Sequence, residues 1–180
     1  TSLRPILVEL NGVDMSGFIL VDSFSKQDTI GQPVTASVTF VNLSSLPAVG
    51  DRVRVLYHRA LEFAGLITRV QRDSADLRTV LYNCELMDWS QILVRRQVRR
   101  NFINQSAIII LDSLLKQELS GEPLTIGTID SNISIPLVDA GLHVRAFDLV
   151  RDVAGATGQT FYVDFEQRIQ MRNAAVPGDR

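Results

Sequence analysis

The hydrophobic period of this chain changes near its middle, and that change limits the architectures open to it. Up to about residue 95, apolar residues alternate with polar ones, the period of two that a strand with one buried face requires. "VGDRVRVLYH" sets Val53, Val55 and Tyr57 against Arg52 and Arg54, and "LEFAGLITRVQRD" repeats the pattern. Gly65, inside that second run, marks a bulge or a tight bend. "ILVELNGVDM" holds Asn11–Gly12 between apolar runs, a hairpin signal. With "FILVDSFSKQ", "PVTASVTFVNL" and "LRTVLYNCELMDW", these segments form a series of short antiparallel strands joined by tight turns, which implies a small sandwich or barrel.

Beyond that point the period becomes three to four. From Ser106 to Leu119, residues Ile108, Leu111, Leu115 and Leu119 fall on one helical face, with Ser106 placed to cap the start and Gly121 and Pro123 to stop the helix. A second helix is expected over about Val144 to Thr157, burying Phe147, Val150, Val153 and Ala154, with Gly158 just past its end. "QTFYVDFEQRIQMRN" reads as a closing hairpin, with Phe161, Val163 and Phe165 on one side. The expectation is an α+β, mainly β chain: a β-barrel over residues 1–95 and an accessory module of two helices and a hairpin over 96–180.

The charge is unevenly spread. Between Arg52 and Arg100 there are ten arginines against five acids, a balance of +5, while the remainder carries −7. The densest point is "LVRRQVRRNF", where Arg95, Arg96, Arg99 and Arg100 occupy four of six positions around Val98. Three roles fit such a run: a solvated or intramolecular surface, a protein–protein interface, or a nucleic-acid grip. The third is the weakest, because no aromatic residue lies within the run to stack on bases and nothing presents it as a helix. Val98 between the arginine pairs suggests an extended segment with one residue tucked inward.

Reactive chemistry is sparse. Cys84 is the single cysteine and sits in a strand-like run, as a buried structural thiol would. His58 and His143 stand in no metal-ligand spacing and read as surface or turn residues. Ser113 and Lys116 match a Ser-x-x-Lys pattern, but the residues between them are core leucines and the companion motifs are missing. "GATG", Gly155 to Gly158, lies at a helix C-terminus, where the dipole repels anions. No apolar run approaches the roughly 20 residues of a membrane span. We expect no catalysis, cofactor or metal.

The order of these features resembles the hub proteins at the tip of phage tails, which share a fold with the N-terminal part of type VI secretion spike proteins. The matching elements are Gly50–Asp51 before an alternating strand, Phe63 and Gly65, and Asp88 at a strand end. They continue with Leu93 beside Arg95 and Arg96, Asn104 to Ser106 at a helix start, and Thr157 to Phe161 leading into an aromatic hairpin. They span about Val49 to Met171. The resemblance implies a tail-tube-like barrel whose sheet lines a channel, followed by a helical accessory module. It also implies a non-catalytic hub made in the host cytoplasm and carried in the virion. Its partners would be further copies of itself in a trimer or hexamer ring, the tail tube or distal tail protein, and the tip or spike, with DNA passing unbound. In that family a hub chain carries two barrels, whereas this sequence shows one. On this reading Arg95, Arg96, Arg99 and Arg100 are the candidate subunit or partner interface.

Overall fold

The computed structural model describes residues 6–20, 22–29, 32–74, 78–139, 141 and 144–173. By its internal packing the chain divides into two compact units, the main break falling between Trp89 and Ser90.

The first unit is a curled antiparallel sheet. Its strands are β1 (Ile6–Leu10), β2 (Val13–Asp14), β3 (Ser25–Gln27), β4 (Thr35–Val41), β5 (Arg52–Tyr57), β6 (Ala60–Ser74) and β7 (Val80–Asp88). They lie side by side in the order β2-β1-β5-β6-β7-β4-β3. Alternation sorts the faces. Val8, Leu10, Val38, Phe40, Val53, Val55, Phe63, Ile67, Cys84 and Leu86 form one buried cluster. The opposite face pairs charges across the ladders: Arg54 Nη1 reaches Glu9 at 2.9 Å, and Arg69 Nη1 reaches Glu85 at 3.3 Å.

The turns follow their residues. Asn11 and Gly12 both take positive φ (51° and 81°) between the paired Leu10 and Val13, the hairpin geometry that Asn-Gly favours. His58 and Arg59 make the same kind of turn between β5 and β6, without a glycine. Gly50 (φ 95°) lets the chain bend so that the Asp51 carboxylate accepts from the Ala48 N–H at 2.8 Å and from Asn11 Nδ2 at 3.0 Å. Gly65 is not the bulge: the β6–β7 register slips between Ile67 and Arg69 instead. Gly65 lies opposite Asp88, where β7 ends, and the two backbones approach so closely that a Cβ would stand 2.8 Å from the Asp88 Cα. Asp88, itself buried, accepts the Val34 N–H through Oδ2 at 3.1 Å and donates its own N–H to the Val34 carbonyl.

The mainly β, antiparallel reading holds, but the sheet is not a closed barrel. β2 and β3 are the two ends of the order, with two and three residues, too short to build a closing ladder. A side-chain contact spans the curl instead. In a flat sheet β3 and β6 would be three strand spacings apart, roughly 14 Å. Yet Lys26 Nζ lies 3.3 Å from the Glu62 carbonyl oxygen and 3.6 Å from its carboxylate, so the sheet curls until its edge strand meets the start of β6.

The second unit comprises α1 (Gln91–Arg95), β8 (Gln97–Val98), β9 (Phe102–Ser106), α2 (Ala107–Gln117), β10 (Thr125–Ile129), β11 (Ser134–Val138), β12 (Val144–Arg145), α3 (Ala146–Ala156), β13 (Gln159–Val163) and β14 (Arg168–Asn173). The expected hairpin is β13–β14, but β10 joins it in parallel to make a three-stranded sheet. Phe161 and Val163 are buried, whereas Phe165 sits exposed in the turn. α3 packs on β13 through Phe147 and Phe161, whose ring centroids are 4.9 Å apart. Its buried face is the expected one, and α1 adds a third helix too short to carry a period.

α2 differs in phase. Ala107, Ile110, Leu111 and Leu114 are buried, while Ile108 is exposed. With Ile108, Ile109 and Ile110 in a row, two apolar stripes fit the sequence; packing buries Ile110 and Leu114 in place of Ile108, while Leu111 and Leu119 of the expected stripe are buried as expected. Nor does the Ser106 side chain cap the helix. The Ile108 N–H is satisfied by Asn132 Oδ1 at 3.0 Å, from a residue beside β11.

At the end of α3, Thr157 is the C-cap, its Oγ1 donating to the Ala154 carbonyl at 2.9 Å, and Gly158 follows at φ 71° with open space where a Cβ would be. Gly158→Val should therefore cost about 1 kcal/mol from backbone strain alone. Thermal denaturation checks this, and an unchanged melting temperature would place the helix stop elsewhere.

Candidate functional site

The arginine segment begins in α1, a single helical turn whose Ile92 and Leu93 are buried and whose last residue is Arg95. At Arg96 the backbone becomes extended and enters β8, which pairs with β12; the Arg96 carbonyl accepts from the Ala146 N–H at 2.8 Å. Val98 is fully buried, and the arginines on either side of it are exposed. The alternation of charge and Val98 thus results from an extended strand with one inward residue.

Three of the four guanidiniums have partners within the same unit. Arg95 Nη2 donates to both Glu122 oxygens, at 2.8 and 2.7 Å, and Arg96 reaches Glu122 Oε1 through Nη2 at 2.6 Å and Nε at 3.2 Å. Glu122 sits just after Gly121, whose φ of 85° turns the chain beyond α2, and its side chain is only 10% exposed against 47% for either arginine. Burial pushes the Glu122 carboxyl pKa up, but the hydrogen bonds and charges of Arg96 and Arg95 outweigh that and hold it below the usual glutamate value. Arg100 Nη1 reaches Ser113 Oγ at 3.2 Å and Gln117 Oε1 on α2, and its guanidinium lies 5.7 Å from the centre of the Phe102 ring. Arg99 is exposed and makes no hydrogen bond or ion pair among the described residues. The sequence showed the four arginines but gave no hint of Glu122, a lone acid more than 20 positions away in a turn.

The remaining candidates fall into structural places. Ser113 and Lys116 do not meet: the first faces Arg100, and Lys116 pairs with Asp112 at 2.8 Å. Cys84 is buried, and burial first, then the nearby Asp51 charge, pushes its pKa up to about 12, so it stays an un-ionised thiol at physiological pH. His58 is a turn residue stacked edge-on against Tyr57, with centroids 4.4 Å apart. His143 lies outside the described residues. Among the described residues no three His, Cys, Asp or Glu side chains converge as a metal site would need, and no helix is long and apolar enough to cross a membrane.

No family model matches the sequence, and no curated protein matches it. Solved structures do match by fold. The 43 kDa tail protein of prophage MuSo2 from Shewanella oneidensis aligns with a TM-score of 0.73 at 14% identity, over 95% of this chain and 54% of its own. A tail protein from Neisseria meningitidis gives 0.72 at 10% identity, over 93% and 49%. A type VI secretion component of E. coli, described as structurally similar to bacteriophage T4 tail proteins, gives 0.66 at 16%, over 96% and 50%. This chain has the fold of phage tail and type VI spike-related proteins. It spans about half the length of those proteins.

Proposed function

We infer that the chain is a structural, non-catalytic component of a phage tail tip or baseplate: a hub that forms a ring, adapts the tail tube to the tip and leaves a path for DNA. The observation that carries this reading is the likeness to two tail proteins, one of them from a prophage, over more than nine-tenths of the chain, both units included. The fold is compatible with a channel wall. One face of the curled sheet is a continuous apolar core, while the other carries Ser37, Thr39, Glu85 and Arg69 in place of apolar side chains. Its partners would be further copies of itself in a trimer or hexamer, the tube or distal tail protein, and the tip or spike. It would be made in the host cytoplasm and carried in the virion. Arg99, exposed and without a hydrogen bond or ion pair among the described residues, is the residue of the arginine segment best placed for such a contact. Arg95, Arg96 and Arg100 would contribute through donors left over from their own-chain bonds.

A second reading, the hub of a type VI or related injection device, is favoured by the E. coli match. A nucleic-acid module is disfavoured by charge: Glu122 already neutralises part of the arginine segment. DNA sliding through a channel needs no grip, and each phosphate held would add roughly 0.9 to the salt slope of binding. Duplex DNA titrated at physiological salt should therefore bind weakly. Sub-micromolar affinity that is lost when Arg95, Arg96, Arg99 and Arg100 are replaced by serine would overturn the structural reading in favour of the nucleic-acid one.

A further inference from the structure

β3 is the end of the seven-stranded sheet, and its three residues are all exposed, with no strand on its outer side among the described residues. Such an edge is a row of unpaired N–H and C=O groups, a template onto which another strand can add. The simplest intruder is the β3 edge of a second copy. An antiparallel pair of identical three-residue strands in full register, related by a two-fold axis, places the middle residue opposite itself. That residue is Lys26.

The side of the sheet on which Lys26 lies is fixed by its neighbours. Ser25 Oγ meets Ser37 Oγ at 2.8 Å, so those two share the polar face. Lys26 is registered with Ala36, and Ala36 with Leu86, both buried in the core cluster. Lys26 therefore projects to the core side of an edge strand, a position where an apolar residue would extend the core. Its ammonium lies against Glu62 on β6, within 3.3 Å of the carbonyl oxygen and 3.6 Å of the carboxylate. In a β3–β3 pair two ammonium-bearing side chains would rise from the same face of the joined sheet, with backbones about 5 Å apart. Like charges directly opposite one another weaken a cross-strand pair.

We propose that Lys26 guards the open edge of the sheet, keeping one free copy of the chain from adding its β3 to that of another, so that self-association waits for other surfaces. The guard is the inward positive charge, and the bridge to Glu62 only gives it a place to rest.

Sedimentation velocity of the isolated chain over a concentration series tests this, with folding of each variant verified by circular dichroism. Lys26→Val removes the charge and suits a strand, and should self-associate on the order of tenfold more tightly than the wild type. Lys26→Thr is the second variant if valine compromises folding, and should act in the same direction. Lys26→Arg and Glu62→Gln keep a cation on the core side and should behave as the wild type. Amides of β3 should gain hydrogen-exchange protection in the associated Lys26→Val species. Equal association of Lys26→Val and wild type, association of Glu62→Gln as tight as that of Lys26→Val, or a Lys26→Val dimer with unprotected β3 amides would each overturn the proposal.

Discussion

Replacing Gly65 by alanine should lower the stability of the first unit by about 3 kcal/mol or more, or prevent it from folding. The added methyl would meet the Met87 carbonyl and stand 2.8 Å from the Asp88 Cα, and these are backbone atoms that no side-chain rotation can move. Gly65 is registered with Val53 on one side and Asp88 on the other, so the clash cannot be relieved by moving an outer strand. Relief requires β7 to separate from β6 where the chain leaves the sheet. That same point is held by the Asp88 carboxylate on the Val34 N–H, so the damage would spread to β4. Gly12 and Gly158 differ: each needs positive φ but has open space around it, and substitution there costs strain without collision. Urea denaturation of Gly65→Ala is the measurement. A midpoint equal to that of the wild type would mean that the two strands are not this close.

Glu122→Ala should cost the second unit about 2 kcal/mol at neutral pH, since it leaves two guanidiniums without the carboxylate that receives four of their hydrogen bonds. The half-exposure of both arginines lets water recover part of the loss, which keeps the figure below that of a fully buried pair. The pH dependence has a definite sign. The carboxyl is held below its unfolded pKa, so its contribution is present in full above the ordinary glutamate range. It is lost as pH falls through the folded value. The gap in stability between wild type and Glu122→Ala should therefore be widest near neutrality and narrow below about pH 4. Equal stability at neutral pH, or a gap that stays constant into acid, would contradict this account of the Arg95–Arg96–Glu122 bridge.

The first unit was the more legible in the sequence, because its information is local. Alternation assigns Val53, Val55 and Phe63 to one face, and Asn11–Gly12 sets a two-residue turn. The helix α3 was legible for the same reason: polar residues separate its apolar stripe cleanly, so only one phase fits. α2 was not, since its triple isoleucine satisfies two phases and only the packing partner decides. The parallel pairing of β10 with β14 was also hidden, because the strands are distant in sequence and no turn announces them. The bridges follow the same rule. Lys26–Glu62 and Arg95–Arg96–Glu122 join residues from separate segments, and an ion pair between distant segments has no period. The matched motifs fare better: Gly50–Asp51, Gly65, Asp88 and Gly158 are joints where the backbone bends or approaches closely, and such joints restrict residue choice strongly.

The measurement closest to the central claim is cryo-electron microscopy of assembled particles that carry this chain. The account predicts density for it at the end of a tail tube, as a closed ring of three or six copies joined head to tail, with at least one of Arg95, Arg96, Arg99 and Arg100 at a subunit or partner contact. A single copy per particle, a place away from the tube axis, or a ring in which all four arginines face open solvent would contradict it.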